Sequence, residues 1–362
     1  MRITDVKGLL VELPTPRPIS DGGQKDQREI VGYVEVFTDE GITGFCPGDA
    51  GGGDPAVIEH YLKPMIVGEN PLEVERIWTK MFQQWRHPKL DDMLVISRVD
   101  CAIWDIVGKA LGQPVWRLLG GANRRVPAYA AGGMYQEGKG PSELAAEMVA
   151  FVEHGHNVVK IKVAGVPLKE DLIRLKAVRE AIGPDVGLMV DINHAWRPDQ
   201  AIRFGRIAEQ FDLYWIEEPV NPWDYRGCAE VAAALDTPIA TGENLSSRYT
   251  ARDLIDCRGA DIIQVDPTVC GGITEWRKVA AYAACHNLPV APHGSQHVGA
   301  HCVAGVPNGL IVEAGAYYGL KRDVPPIVEP LRVQAGWVEM TDEPGLGLVV
   351  NRDVIRYLHE RA

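Results

Sequence analysis

The chain has 362 residues, of which 46% are hydrophobic and 24% are charged. These proportions are ordinary for globular proteins and exclude fibrous repeats and low-complexity disorder. Its 37 Lys and Arg residues are outnumbered by 49 Asp and Glu residues, and the formal net charge of −12 disfavours nucleic acids and anionic membranes as partners. The length fits roughly two domains, or one large barrel with an accessory domain.

The sequence carries no sign of export or membrane insertion. No apolar core follows a basic segment near Met1, and no window approaches about 18 consecutive apolar residues. The seven cysteines are scattered and contain no Cys-x-x-Cys pair, which disfavours a disulfide framework and a structural zinc site. We therefore expect a cytoplasmic protein.

The first 125 residues have the pattern of a separate α+β unit. Residues 31–37 and 42–45 are β-like and are joined by a glycine-containing turn, which predicts a hairpin. Residues 71–85 and 93–111 have apolar side chains at helical spacing. We therefore predict a small α+β domain over residues 1–125.

From residue 126 onward, short runs rich in Val and Ile alternate with helix-patterned stretches. Continuous apolar strands joined by helices predict a parallel sheet that is buried on both faces. The predicted strands are residues 126–132, 158–163, 187–191, 213–217, 238–242, 261–265, 288–292 and 310–314. The predicted helices between them are residues 142–154, 169–182, 199–210, 248–257 and 274–286.

This alternation predicts a closed α/β barrel over residues 126–325. An open doubly wound sheet is the alternative, but the glycine-rich phosphate turn that it would need is incomplete after the first strand. The tail over residues 326–362 has short β-like runs and is too short to form a domain. We expect it to pack back on the N-terminal unit.

Polar side chains follow nearly every predicted barrel strand from the second onward. Barrel enzymes place their chemistry at the C-terminal ends of the strands, so these side chains are expected to converge on one mouth. Buried charges are costly unless they are paired or bound to a metal, so stability alone does not explain them. They are Lys160, Lys162, Asp191, Asn193, Glu217, Glu218, Glu243, Asn244, Asp266, His293 and Glu313.

Three of these carboxylates are spaced by one β/α unit. Asp191, Glu217 and Glu243 are each 26 residues from the next, which predicts that they lie side by side on the barrel rim. Three oxygen ligands with room for water or substrate oxygens describe a Mg²⁺ site. Zinc is less favoured because no His or Cys occupies these strand ends. A solvated rim charge or a salt-bridge partner is the alternative for any single carboxylate.

Two further pairs suit proton transfer. Lys160 and Lys162 alternate on one strand, so both point into the mouth. Each ammonium group disfavours protonation of the other and lowers its pKa, which allows a lysine to act as a base near neutral pH. Their alternative role is to neutralise the carboxylates. Asp266 and His293 could form a hydrogen bond that orients the imidazole to accept or donate a proton.

The polar motifs occur in a fixed order along the chain. They are Lys160-x-Lys162, Asp191-x-Asn193, Ile216-Glu217-Glu218-Pro219, Gly242-Glu243-Asn244, Asp266 ahead of Gly271-Gly272-Ile273-Thr274, His293 and Glu313. Residues 100–112, 114–121 and 344–347 add three further motifs outside this stretch. In this order and spacing the sequence resembles the enolase superfamily, and within it the mandelate racemase subgroup, over nearly the whole chain.

The resemblance implies a (β/α)7β barrel, a modified TIM barrel, with an N-terminal α+β capping domain that the C-terminal tail completes. It implies Mg²⁺ as the cofactor, bound by Asp191, Glu217 and Glu243. It also implies a homo-oligomer, since closed symmetric assemblies are common among enzymes.

The resemblance further implies a role for each remaining polar residue of the mouth. Lys162 would be a base on one substrate face, with Lys160 tuning its pKa, and His293, oriented by Asp266, would act on the other face. Glu313 would bind the substrate carboxylate as a protonated acid. The expected supporting and substrate-contacting residues are Asn193, His194 and Glu218.

The implied chemistry is removal of the proton α to a carboxylate. This step adds a negative charge to the substrate, and Mg²⁺ and nearby hydrogen-bond donors stabilise that charge. We favour dehydration of an acid sugar, an aldonate or aldarate, to a 2-keto-3-deoxy acid. A racemase, epimerase or cycloisomerase on the same scaffold is the alternative, and a non-catalytic sugar-acid-binding barrel is a third reading.

Two polar segments, residues 16–28 and 48–54, occupy the positions of the family's substrate-covering loops. Solvated loops without a ligand are their alternative reading. The side chains that could bind hydroxyl groups there are Arg17, Asp21, Gln24, Lys25 and Asp49.

Overall fold

The computed structural model describes residues 1–13, 18–23, 29–47, 55–84, 90–294, 296–314 and 333–353. The N-terminal unit contains an antiparallel sheet of β1 (Ile3–Leu13), β2 (Glu29–Thr38) and β3 (Thr43–Cys46). The predicted hairpin is confirmed as β2 and β3, whereas β1 was not predicted.

Helices follow the sheet in the N-terminal unit. They are α1 (Pro55–Val57), a π-helical segment (Ile58–Leu62), α2 (Lys63–Ile66), α3 (Val74–Gln84), α4 (Leu90–Leu111) and α5 (Val115–Leu118). In α4, Ile96, Val99, Ile103 and Ile106 are buried and recur at the three-to-four-residue spacing of one helix face. This apolar face accounts for the helical spacing that the sequence shows over residues 93–111.

The barrel alternates strands and helices. In chain order its elements are β4 (Arg125–Ala131), α6 (Pro141–Glu153), β5 (Val158–Lys162), α7 (Leu168–Ile182), β6 (Gly187–Asp191), α8 (Pro198–Ala208), a 3-10 turn (Glu209–Phe211), β7 (Leu213–Glu217), α9 (Tyr225–Ala234), β8 (Ile239–Thr241), α10 (Arg248–Asp256), β9 (Ile262–Ile263), α11 (Ile273–Cys285), α12 (Gln296–Gly305) and β10 (Val312–Glu313). The helices α9 and α12 were not among those predicted.

The strands close into a ring. Strands β4 to β9 pair in parallel in sequence order, and β10 pairs in parallel with β4. The gap between β9 and β10 is bridged by Val290, which pairs with Ile263 on one side and Gly309 on the other. The strand predicted at 288–292 is thus reduced to one bridging residue, and the fold is the expected (β/α)7β barrel with an N-terminal capping domain.

The C-terminal tail contacts both parts of the molecule. It contains a hairpin of β11 (Val333–Gln334) and β12 (Trp337–Glu339), and β12 pairs antiparallel with β4, with Val338 opposite Val126. Further along, the backbone N–H of Leu346 donates to Asp105 Oδ1 in α4 at 2.8 Å. The tail therefore contacts the first barrel strand as well as the capping domain. The sequence predicted only the contact with the capping domain. The domain boundaries at residues 125 and 325 stay predictions.

No helix in the described part of the chain is both long enough and apolar enough to span a membrane. The seven cysteines are free thiols in this structure.

One histidine links the barrel, the capping domain and the tail. His301 in α12 is 2% exposed, and its Nδ1 accepts a hydrogen bond from the backbone N–H of Trp116 at 3.0 Å. Since Nδ1 accepts, the ring proton lies on Nε2, which donates to the carbonyl oxygen of Leu346 at 3.2 Å. Burial lowers the pKa of His301 to about 4, so the folded protein holds this ring neutral.

We predict that the free energy of unfolding falls as the pH is lowered from 6.5 to about 4. In this range the unfolded chain protonates His301 and the folded protein does not, so stability rises with pH by up to about 1.4 kcal/mol per pH unit for this group. Urea unfolding at several pH values measures the slope. His301→Gln should reduce it, and the exposed His286→Gln should not. Equal slopes in the wild type and His301→Gln would contradict this assignment.

Candidate active site

The register of the sheet aligns three charged side chains at one edge of the barrel. Lys162 in β5 pairs with Asp191 in β6, and Asp191 pairs with Glu217 in β7. Both carboxylates are completely buried. Glu243 follows β8, the next strand around the ring. The one-unit spacing seen in the sequence thus corresponds to neighbouring strand ends in the structure.

The backbone is strained directly after these strands. Ala164, Asn193, His194 and Glu218 have φ values of 76°, 48°, 64° and 42°, in the left-handed region that side-chain-bearing residues seldom adopt. Such strain persists only where the surroundings fix it, and it concentrates at functional sites. In one case the fixing contact is clear, because the backbone N–H of Asn193 donates to Asp191 Oδ1 at 2.9 Å.

Both lysines are ion-paired with carboxylates. Lys160 Nζ lies 2.5 Å from Glu217 Oε1 and 3.5 Å from Glu313 Oε2, and Lys162 Nζ lies 2.5 Å from Asp191 Oδ2. Burial opposes the charge on Lys160, but the negative charges of Glu217 and Glu313 outweigh it and raise the pKa of Lys160 well above its usual value. These contacts favour the charged form of Lys160 beside the carboxylates, and its role in tuning the pKa of Lys162 stays a prediction.

Glu313 is held by a tyrosine that the sequence analysis missed. Tyr129 donates a hydrogen bond to Glu313 Oε2 at 2.9 Å, and the backbone N–H of Gly294 approaches the same oxygen at 3.3 Å. Burial opposes ionisation of Glu313, but the positive charges of Lys160 and His293 lower its pKa to about 2. This arrangement favours the carboxylate and not the protonated acid that the resemblance implies.

Trp215 was also missed. Its Nε1 donates to Glu217 Oε2 at 2.9 Å, and it precedes Glu217 by two residues on the same strand. The two-residue alternation of a strand could have identified it, because residues i and i+2 share a face.

His293 lies between two carboxylates. Its Nδ1 is 3.2 Å from Asp266 Oδ2, and its Nε2 is 3.3 Å from Glu243 Oε2. Burial opposes protonation of His293, but the charge of Glu243 and the hydrogen bond with Asp266 raise its pKa well above the usual value. The ring is therefore an imidazolium, and its predicted pairing with Asp266 is present.

A second histidine binds the other side of Glu243. His194 Nε2 lies 3.1 Å from Glu218 Oε2 and 3.4 Å from Glu243 Oε1. Burial opposes protonation of His194, but both carboxylates raise its pKa to about 11. The ligand atoms of these three residues lie within 4.8 Å of one another. In this structure Glu243 thus groups with histidines, whereas Asp191 and Glu217 group with lysines.

The predicted ligand set has the chemistry of a hard-metal site. Asp191, Glu217 and Glu243 offer only oxygen donors, which suit Mg²⁺. Nearby, Asn193 Oδ1 is buried and accepts no hydrogen bond from the described residues. Buried carboxylates and an unsatisfied acceptor are costly, and a bound divalent cation would offset both costs. The residues present therefore fit Mg²⁺.

A capping-domain loop lies against the mouth. Ser20 and Tyr135 exchange backbone hydrogen bonds of 3.0 Å and 2.8 Å. A Cβ atom on Gly22 would lie 2.5 Å from the carbonyl oxygen of Ile192 and 2.8 Å from that of Val163, so only glycine permits this approach. Asp21 Oδ1 accepts the N–H of Gly23 at 2.7 Å. The remaining loop candidates, Arg17, Gln24, Lys25 and Asp49, lie outside the described residues.

The fold and the site together define an enolase-like barrel protein. Residues 143–354 match the family model of enolase C-terminal domain-like proteins. Residues 5–120 match the mandelate racemase / muconate lactonizing enzyme N-terminal domain. The chain therefore belongs to the mandelate racemase / muconate lactonizing enzyme family of the enolase superfamily, as its motifs suggested.

Three relatives illustrate the reactions found in this family. The chain is 34% identical to the L-talarate/galactarate dehydratase of Salmonella typhimurium, covering 98% of this chain and 91% of the relative. It is 33% identical to the D-galactarolactone cycloisomerase of Agrobacterium fabrum, covering 98% of each. A racemase from Streptomyces coelicolor, solved with bound magnesium, superposes with a TM-score of 0.90 at 30% identity, covering 98% of this chain and 99% of that structure. Magnesium is thus the metal found in a solved relative.

We predict that Glu243→Gln lowers the pKa of both His293 and His194 in the metal-free protein, because the charge of Glu243 lies beside both rings. Imidazole nitrogen chemical shifts followed across pH measure both values. The exposed Glu339→Gln is the matched control. Unchanged histidine pKa values in Glu243→Gln would show that Glu243 does not carry this interaction.

Proposed function

We propose that the protein is a Mg²⁺-dependent acid-sugar dehydratase, which converts an aldonate or aldarate to a 2-keto-3-deoxy acid. The observation that carries the proposal is the position of His293, whose two ring nitrogens lie 3.3 Å from Glu243 and 3.2 Å from Asp266, a setting that favours the protonated ring. A proton donor at this mouth suits the departure of a β-hydroxyl as water. The dehydratase relative and the complete set of polar residues support the same reaction.

Asp191, Glu217 and Glu243 would hold the metal. Bound there, Mg²⁺ would stabilise the negative charge that develops on the substrate carboxylate when the α-proton leaves. Lys160 would contribute a fixed positive charge beside Glu217, from which it is 2.5 Å away. Asn193 and Glu218 are proposed as supporting groups.

The proton transfers are assigned to two residues on separate parts of the ring. Lys162 Nζ would take the α-proton, and the electron pair of the broken C–H bond would pass onto the substrate carboxylate as an ene-diolate. This ene-diolate can take a proton back, which gives exchange, or expel the β-hydroxyl. His293 would give its proton to that hydroxyl, so water leaves and the enol product tautomerises to the 2-keto acid. The raised pKa of His293 supports its role as the acid, and by elimination Lys162 is the base.

Substrate orientation is assigned to the remaining residues. Glu313, fixed by Tyr129 at 2.9 Å, would bind a polar end of the substrate. His194 would face substrate hydroxyl or carboxylate groups, since a quarter of its side chain is exposed and it is anchored to Glu218 at 3.1 Å. The alternative function is a cycloisomerase or racemase, which the other two relatives favour and which would use the same acid and base without losing water.

We predict that Lys162→Ala lowers both α-proton exchange and dehydration at least about a hundredfold, because no other base is assigned to that face. His293→Asn should lower dehydration by a similar factor and leave α-proton exchange largely intact. Proton NMR in D₂O separates the two signals in each variant.

The matched surface controls are Lys176→Ala and His286→Asn, and both should keep wild-type rates. Full dehydration in His293→Asn would overturn its role as the acid. Retained α-proton exchange in Lys162→Ala would show that another residue is the base.

We also predict that Asp191→Asn weakens Mg²⁺ binding by about tenfold or more, since it removes one charged oxygen ligand. His194→Gln should change the affinity by less than about threefold if the metal binds the oxygen set. Isothermal titration calorimetry with MgCl₂ measures both affinities. The reverse pattern would place the metal between His194, Glu218 and Glu243 instead.

A further inference from the structure

We propose that helix α4 of the capping domain positions the Asp266–His293 pair, with Asp100 as the principal positioning residue. The capping domain would then serve the chemistry directly, in addition to covering the substrate. The kinetic part of this inference rests on the proposed function, whereas the structural part does not. The argument begins at Asp266 and proceeds outward to α4.

Asp266 is fixed by a residue of its own loop. Its Oδ1 accepts two hydrogen bonds from Thr268, one from the backbone N–H at 2.6 Å and one from the hydroxyl at 2.8 Å. The other oxygen, Oδ2, faces His293 Nδ1 at 3.2 Å. The position of the imidazole therefore depends on the conformation of the loop that begins at Asp266 and leads into α11 at Ile273.

Helices of the capping domain hold that loop along its length. Cys101 Sγ lies 3.6 Å from the carbonyl oxygen of Pro267, near the start of the loop. In the middle, Ser97 Oγ accepts the N–H of Gly271 at 2.7 Å. The remaining contacts are Trp78 Nε1 to the Gly271 carbonyl oxygen at 2.6 Å, Trp104 Nε1 to Thr274 Oγ1 at 2.8 Å and the Thr274 N–H to Asp100 Oδ2 at 2.9 Å.

The α4 residues in this set recur at helical spacing. Positions 100 and 101 follow position 97 by three and four residues, and position 104 follows them by four and three, so the four positions form one face of α4. A whole helix face directed at one loop fixes its path more firmly than a single contact would.

Asp100 caps α11 from the other domain. A carboxylate that accepts a backbone N–H in the first turn of a helix stabilises that helix end, a role that a residue of the same segment usually fills. Gly272 occupies the cap position with a φ of 88°, and a Cβ there would lie 2.2 Å from Asp100 Oδ2. Gly272 thus makes room for a carboxylate supplied by α4.

This cap is costly to maintain. Asp100 is 1% exposed, and burial raises its pKa to about 7. A buried carboxylate that is difficult to ionise reduces stability, so its presence is better explained by the loop geometry that it fixes. Lys162, Asp191 and Glu217 lie on β5, β6 and β7, so a shift of the loop would affect His293 more than the base and two of the three proposed metal ligands. The third, Glu243, contacts His293 but follows β8 and is not part of the loop.

The test compares Asp100→Ala, which removes the cap, with Asp100→Asn, which keeps an acceptor oxygen. Lys109→Ala is the matched control on the same helix, because Lys109 contacts Thr43 and Asp105 instead of the loop. The first readout needs no substrate, since it is the pKa of His293 from imidazole nitrogen shifts. We expect Asp100→Ala to lower it and Asp100→Asn to restore most of the wild-type value.

The second readout is kinetic. In Asp100→Ala, dehydration of the acid sugar should fall at least tenfold, while α-proton exchange and Mg²⁺ affinity change less than threefold. Should Asp100→Ala fail to fold, Ser97→Ala provides the same comparison, since it removes the acceptor for Gly271. Thermal unfolding confirms that each tested variant is folded.

An unchanged His293 pKa in a folded Asp100→Ala or Ser97→Ala variant would overturn the inference. Equal losses of exchange and dehydration would do the same, because they would indicate a general structural defect. If the wild type dehydrates no acid sugar, the proposed function fails, and the His293 titration alone still decides whether α4 positions the pair.

Discussion

The structure depends on pairing the buried carboxylates at the mouth of the barrel with basic side chains. Asp191 and Glu217 are completely buried, and such charges are stable only with compensating partners. Lys160 and Lys162 supply them on one side of the mouth. On the other side, Glu243 is compensated by two histidines. Two of the strained residues after the strands, His194 and Glu218, take part in the same pairing, since they lie 3.1 Å apart.

The mouth divides into two electrostatic halves. In the lysine half, Lys160 and Lys162 form ion pairs with Glu217 and Asp191. In the histidine half, His194 and His293 lie against Glu243, and Asp266 contacts the other nitrogen of His293. A substrate between them would face a base on one side and an acid on the other. The capping domain and the tail complete this arrangement, since α4 contacts the loop of Asp266 and the tail docks on α4.

The sequence predicted the barrel well because its period is local: one strand and one helix recur at regular spacing, and the charged residues fall where strands end. The sequence was less informative about which side chains contact one another. Trp215 and Tyr129 could have been found from strand alternation, but the pairing of Glu243 with His194 depends on side-chain geometry across two loops. The short strand around Val290 and the cap supplied by Asp100 depend on contacts between distant segments. The homo-oligomer and the cytoplasmic location stay predictions.

The most direct test of the central claim is proton NMR in D₂O of the Mg²⁺-loaded wild type with a pool of aldonates and aldarates. The account predicts that one substrate loses its α-proton and gains the methylene signal of a 3-deoxy product. Exchange of the α-proton with every hydroxyl retained would contradict dehydration and favour the racemase or epimerase alternative. No change in any sugar of the pool would contradict the assignment of acid sugars as substrates.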